Sequence, residues 1–142
     1  MAAANALRRA VSFSEADVLA FVGACGDVNP LHRRPSDSNA EPVVPGLLTA
    51  SLFPAIVGSE APGSVYMSQT LSFRQVLRAG DGVIADVQVL HRRGRTAKLS
   101  TTAFRPLDGE VLLDGTAHAL LPREDALDAY TSSNPSSHNN TH

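Results

Sequence analysis

Apolar residues recur along this chain with two different periods, and the switches between them mark its elements. Val18, Leu19, Phe21 and Val22 fall at helical spacing behind Ser14, a favourable N-cap, with Glu15 and Asp17 in the first turn, where the helix dipole stabilises negative charge. The spacing predicts a helix through about Ala24, ended by Gly23, Gly26 and the run Asp27-Val28-Asn29-Pro30, with Cys25 packed as a small buried residue. From Arg33 to Pro45 the chain is polar and rich in turn formers, which implies a surface excursion able to cover whatever lies beside it. Gly46 to Gly58 is then predominantly apolar, with Leu47, Leu48, Ala50, Leu52, Ala55, Ile56 and Val57, the composition of a largely buried helix. Pro54 interrupts that stretch, and an interior proline costs roughly 3 kcal/mol or more. Either a kink or a second helix beginning near Pro54 answers it, and the pattern does not choose.

After Pro62 and Gly63 the period falls to two. Val65, Met67, Gln69, Leu71 and Phe73 share one face, and Tyr66, Ser68, Thr70 and Ser72 the other, predicting one long strand. Gly80-Asp81-Gly82 marks a turn, and Val83, Ala85, Val87 and Val89 then alternate with Ile84, Asp86, Gln88 and Leu90. A turn over Arg92 to Arg95 leads to a third strand, Thr96 to Phe104, and Asp108-Gly109 to a last one, Glu110 to Leu121, closed by Pro122. These strands predict an antiparallel meander. From Thr131 the chain is Ser, Asn, Thr and His with one Pro, a composition that predicts disorder.

The class is α+β, in one domain. Its expected extent is 13–122, preceded by a segment 1–12 with a short first strand beginning by Val11 and followed by a tail, 123–142. A net charge of -2 and a pI near 6.2 argue against nucleic acid or an anionic membrane as partner. Cys25 is the only cysteine, which rules out an intramolecular disulfide and a Cys-rich zinc site. No apolar run approaches the roughly 20 residues that cross a bilayer. The Ala-rich start carries Arg8 and Arg9 with no acid before Glu15, in the manner of a mitochondrial presequence; the cytoplasm is the alternative. The ending Asn140-Thr141-His142 is not the usual peroxisomal tripeptide.

Candidate chemistry concentrates between Gly26 and His32, where a carboxylate, an amide and an imidazole share one Pro-stiffened turn. Pro30 prevents Asp27 and His32 from lying on an ordinary helical face and pushes Asn29 toward extended geometry, so both side chains project from a loop. Loops held by rigid elements often carry function, although Asp and Asn also build simple Asx turns.

The run Gly26-Asp27-x-Asn29-Pro30-Leu31-His32 closely resembles the hydratase 2 signature of the MaoC-like, (R)-specific enoyl-CoA hydratase and 3-hydroxyacyl-[acyl-carrier-protein] dehydratase family. Pro45-Gly46-Leu47-Leu48-Thr49-Ala50-Ser51-Leu52, Pro62-Gly63, Gln69-Thr70-Leu71-Ser72-Phe73 and Ala79-Gly80-Asp81 resemble further family blocks in the same order, so the resemblance spans roughly Phe13 to Pro122. It implies a hot-dog fold, an antiparallel sheet wrapped around a central apolar helix, and a homodimer. It also implies reversible addition of water to trans-2-enoyl thioesters, giving (R)-3-hydroxyacyl thioesters on CoA or acyl carrier protein, without metal or organic cofactor.

Under that resemblance Asp27 orients and deprotonates water and His32 exchanges the C2 proton. Gly46, opening the buried helix, offers an N–H to the thioester oxygen. Asn29 fixes the loop or the water, simple turn formation being the equal alternative. Ile56 and Val57 limit acyl depth or serve only as core. Relatives often carry serine where Pro54 stands, leaving Ser51 or Thr49 as substitutes. Arg92, Arg93, Arg95 and Lys98 are expected to form a solvated hairpin rather than a dock for CoA phosphates or an acidic carrier protein. His91 and His118 are expected to be structural, with no zinc. A hot-dog acyl-thioesterase and a non-catalytic acyl-thioester binding module are the competing readings.

Overall fold

The computed structural model describes residues 6–37 and 39–123. The tail predicted to be disordered and the C-terminal tripeptide lie outside them. In chain order the elements are β1 (Ala6–Ser12), α1 (Glu15–Cys25), a 3-10 turn (Pro30–His32), α2 (Gly46–Ala50), α3 (Leu52–Glu60), β2 (Val65–Gln69), β3 (Ser72–Phe73), β4 (Gly82–Arg93), β5 (Thr96–Phe104) and β6 (Val111–Leu120). The sheet runs β1-β4-β5-β6-β2, with β3 also paired to β6, and every pairing is antiparallel.

The meander holds for β4, β5 and β6, but β2 joins the far side of β6 instead of lying beside β4. Residues 74–81 therefore carry the chain back to the start of β4. On the way they fasten the polar excursion: Val43 bridges Arg78, Val44 N–H donates to the Leu77 carbonyl at 2.8 Å, and Ala79 N–H donates to Pro42 at 2.9 Å.

α3 supplies the core on one face of the sheet. Phe53 is fully buried, joined by Leu52, Ile56 and Val57. The facing positions include Ala85, Ala97, Ala103, Ala117 and Ala119, all buried, whose small side chains let the helix sit close to the strands.

Several sequence expectations change. The apolar helix is two helices meeting at Ser51. Pro54 is the third residue of α3, where the N–H lacks an intrahelical acceptor in any case, so proline breaks no bond. Leu47 is 60% exposed rather than buried, and Cys25 is exposed. β1 spans Ala6–Ser12, under way by Val11 as expected, and Leu7 and Val11 both pack on the core while the strand edges β4.

The predicted strand over 65–73 is broken. A register slip between Tyr66 and Ser68 reverses the faces, since one extra residue turns every following side chain over. Val65 and Met67 are exposed in consequence, and Tyr66 and Gln69 both turn inward, where the Tyr66 hydroxyl donates to Gln69 and Gln69 Nε2 donates to Thr101 at 2.8 Å. Burial raises the Tyr66 hydroxyl to about 12. The link to β3 passes directly over Gly115, where any Cβ would overlap the Thr70 carbonyl.

Candidate active site

Ser14 caps α1 as predicted, closing a capping box in which Asp17 N–H donates to Ser14 at 3.1 Å and Ser14 N–H to Asp17 at 2.9 Å. At the other end Gly26 turns left-handed (φ 76°), and Asp27 N–H returns to the Val22 carbonyl at 3.0 Å. Helix and cap together fix where the loop starts. Asp27 Oδ1 then accepts Asn29 N–H at 2.8 Å, and Asn29 Oδ1 accepts Leu31 N–H at 3.1 Å, two successive Asx turns that deliver the chain into the 3-10 turn ending at His32.

His32 Nδ1 lies 2.7 Å from the Val43 carbonyl. A carbonyl only accepts, so Nδ1 carries a hydrogen and Nε2 is the ring nitrogen left to face Asp27. Nε2 faces Asp27 Oδ2 at 3.6 Å, beyond a direct hydrogen bond, with side chains 13% and 35% exposed respectively. That spacing leaves the two groups able to hold one small polar molecule between them.

The pair opens on a pocket of about 400 Å³ lined largely by apolar residues: Phe21, Cys25, Val43, Val44, Pro45, Gly46, Leu47, Phe73, Gln75 and Val76. Gly46 is therefore brought to the pair, as the sequence reading expected. The N–H groups of Leu48 and Thr49 return to the Pro45 carbonyl, leaving those of Gly46 and Leu47 ahead of the helical ladder.

The other candidates lie elsewhere. Asn29 is spent on the turn and does not line the pocket. Ile56 and Val57 are in the core, and Val57 lines a separate cavity with Leu7, Val87, Leu99 and Leu121. The Ser51 hydroxyl donates to the Leu48 carbonyl and Thr49 is buried, so neither offers the pocket a hydroxyl in place of Pro54. His118 Nδ1 sits 3.1 Å from the Ser68 hydroxyl in a surface depression shared with His91, Arg93 and Lys98. The sequence reading missed Val43, whose contribution is a backbone carbonyl and so leaves no mark in the residue type. It also missed Phe73, which pairs with Leu113 on the face it shares with Gln69, as predicted, but whose place against Gly46 is set by the tertiary fold.

The chain is similar to known proteins. The chain is 40% identical over 126 residues to the mitochondrial 3-hydroxyacyl-[acyl-carrier-protein] dehydratase FERN of Solanum lycopersicum, covering 83% of this chain and 76% of that protein. It is 36% identical over 117 residues to the (R)-specific enoyl-CoA hydratase of Aeromonas caviae, covering 78% and 87%. The chain belongs to the MaoC-like hydratase and dehydratase family. The solved (R)-hydratase from A. caviae superposes with a TM-score of 0.75 at 35% identity, over 82% of this chain and 94% of that one, which makes the architecture a hot-dog fold. No family model matches the chain. As a MaoC-like protein it is a hydro-lyase, which is chemistry that a carboxylate and an imidazole facing one gap can perform.

Proposed function

We propose that this hydro-lyase reversibly hydrates trans-2-enoyl thioesters to (R)-3-hydroxyacyl thioesters, with Asp27 and His32 as its catalytic pair. The observation that carries the assignment is the gap between Asp27 Oδ2 and His32 Nε2, set by two Asx turns on one side and the Val43 carbonyl on the other. In the hydration direction Asp27 Oδ2 takes a proton from the bound water as its oxygen bonds C3. The C2–C3 π electrons pass to the thioester oxygen, which the Gly46 N–H stabilises. Protonated Nε2 of His32 delivers a proton to C2 as the carbonyl re-forms, and the proton on Asp27 then returns to His32 across the gap. One water is consumed, and the pair is restored. Dehydration runs the same steps backward.

The Solanum lycopersicum and Arabidopsis thaliana relatives are named as acyl-carrier-protein dehydratases and as mitochondrial, the second at 35% identity over 131 residues. These names support fatty-acid synthesis on a carrier protein in the mitochondrion, with acyl-CoA as the alternative carrier. No cofactor enters the scheme. A homodimer is the proposed assembly: β2 stands at an edge of the sheet with Val65 and Met67 exposed, an apolar border suited to a second copy.

The test is loss of enoyl absorbance when purified protein meets crotonyl-CoA and crotonyl carrier protein, followed by chiral analysis of the product. Turnover to the (R) alcohol, abolished in His32→Ala, is the expected result; no turnover on either carrier rejects the reading, and release of free thiol alone identifies a thioesterase.

A further inference from the structure

Phe73 is held in an unusual place for a large aromatic. Its backbone is fixed: it pairs with Leu113, the following N–H groups of Arg74 and Gln75 both donate to the Leu112 carbonyl at 2.8 and 3.1 Å, and Arg74 pairs with Asp114 at 2.9 Å. Yet the residue remains 57% exposed, and its ring lines the catalytic pocket. The side of the ring formed by Cδ1 and Cε1 rests on Gly46. A Cβ built on Gly46 would lie 2.5 Å from Phe73 Cδ1 and closer still to Cε1, a separation real atoms do not tolerate. The ring occupies the space that a side chain at Gly46 would need, so with any larger residue there the ring must shift.

That contact places two features beside one another. The Gly46 N–H is the donor assigned to the thioester oxygen, and the Phe73 ring, whose C–H edge carries partial positive charge, lies against that same residue. The conjugated C1–C3 unit of an enoyl thioester is planar, and a flat apolar wall on a rigid strand restrains such a unit without needing a hydrogen bond.

We propose that Phe73 is a substrate-positioning residue, that it walls the oxyanion position at Gly46, and that the two residues act as one unit. This rests on the hydratase reading above. The ring does no proton transfer. It holds the plane of the enoyl group so that C3 faces the water between Asp27 and His32 while the carbonyl oxygen meets the Gly46 N–H.

The experiment is a double-mutant cycle on the full chain with Gly46→Ala, Phe73→Ala and the pair together, with Phe73→Leu as a bulkier companion, read as kcat and KM on crotonyl-CoA or crotonyl carrier protein, whichever the wild type turns over. Melting temperature and elution volume are recorded for each. Phe73→Ala is expected to lower kcat/KM by about ten- to a hundredfold, chiefly through kcat, with melting and elution unchanged, and Phe73→Leu to recover part of the loss. The pair is expected to be no slower than Gly46→Ala alone. The proposal is overturned if Phe73→Ala keeps kcat and KM within twofold, if the two losses multiply, or if activity falls only together with melting temperature or elution volume. Should Phe73→Ala fail to fold, Phe73→Leu decides: wild-type kinetics overturn the proposal, and a kcat loss at unchanged melting supports it. A wild type that turns over neither thioester overturns the hydratase reading first and this inference with it, an outcome distinct from an active wild type indifferent to Phe73.

Discussion

Asp27→Asn isolates the carboxylate proposed as base with little other disturbance. Oδ1 accepts the Asn29 N–H at 2.8 Å, a bond an amide oxygen keeps, so the loop retains its first turn. The change falls on Oδ2, which faces His32 Nε2 at 3.6 Å and becomes an NH₂ group that donates where the carboxylate accepted. Water in the gap then loses its proton acceptor. General acid–base catalysis supplies about 10²- to 10⁴-fold, so kcat should fall by that range, equivalent to roughly 3–5.5 kcal/mol at about 1.36 kcal/mol per decade. KM should move only a few-fold, because the pocket beside the carboxylate is walled mainly by apolar residues such as Phe21, Val43, Leu47 and Val76, which the substitution leaves in place. Stability should change by less than about 1 kcal/mol, since Asp27 is partly exposed and its turn bond survives. Initial rates of enoyl-absorbance loss over a range of crotonyl thioester concentrations, alongside a urea melt, measure all three quantities. A variant that retains more than a tenth of wild-type kcat would refute the assignment of Asp27 as base.

Gly115→Ala drives a methyl into the Thr70 carbonyl, where backbone rather than a flexible side chain must give way, and should cost about 2 kcal/mol or more in a urea melt; an unchanged midpoint contradicts the described crossing of β6. Asn29→Ala removes the acceptor for Leu31 N–H, and a turn role predicts a loss of about 1 kcal/mol with kcat reduced less than tenfold, whereas a larger rate loss at wild-type stability assigns the amide to water positioning. Tyr66 ionises near 12 in the fold against an ordinary value near 10, so the unfolded chain releases its proton first. Its contribution to stability is intact below about pH 10 and is lost as pH rises toward 12; comparing wild type with Tyr66→Phe across that window should show the extra decline in wild type alone.

What the sequence disclosed depended on whether the cause was local. The Ser14 cap, the end of α1 at Gly26 and the Asp27/His32 loop follow from neighbouring residues, and each formed where it was expected. The three meander strands followed from alternation, because both of their faces are set by one packed layer. β2 failed for a complementary reason: the bulge at Met67 depends on pairing with β6, at Ala119 and His118 far along the chain, and alternation continues across it unbroken. Ser51 as the helix junction was equally hidden, since Pro54 drew attention to itself although it sits at a harmless position. At the site, the pairing of Asp27 with His32 was legible, while the carbonyl of Val43 and the ring over Gly46 required the tertiary fold.

The tether on Val43 bears on how the chain tolerates changes in length. Leu31 accepts the Val43 N–H at 2.9 Å, His32 donates to the Val43 carbonyl, and Val44 is fastened to Leu77, so both ends of the excursion are clamped immediately beside the imidazole. Arg34 further ties its first half to Glu15 and Glu41 through exposed ion pairs of small worth. Residues added around Asp37 would lengthen a surface arc without shifting either clamp, at the slow logarithmic cost of a longer loop. A single residue added between Glu41 and Pro45 would slide the carbonyl away from Nδ1 and unfasten the imidazole. Length variation is accordingly admissible at the outer bend and excluded only a few residues further on, where the backbone itself holds the imidazole in place.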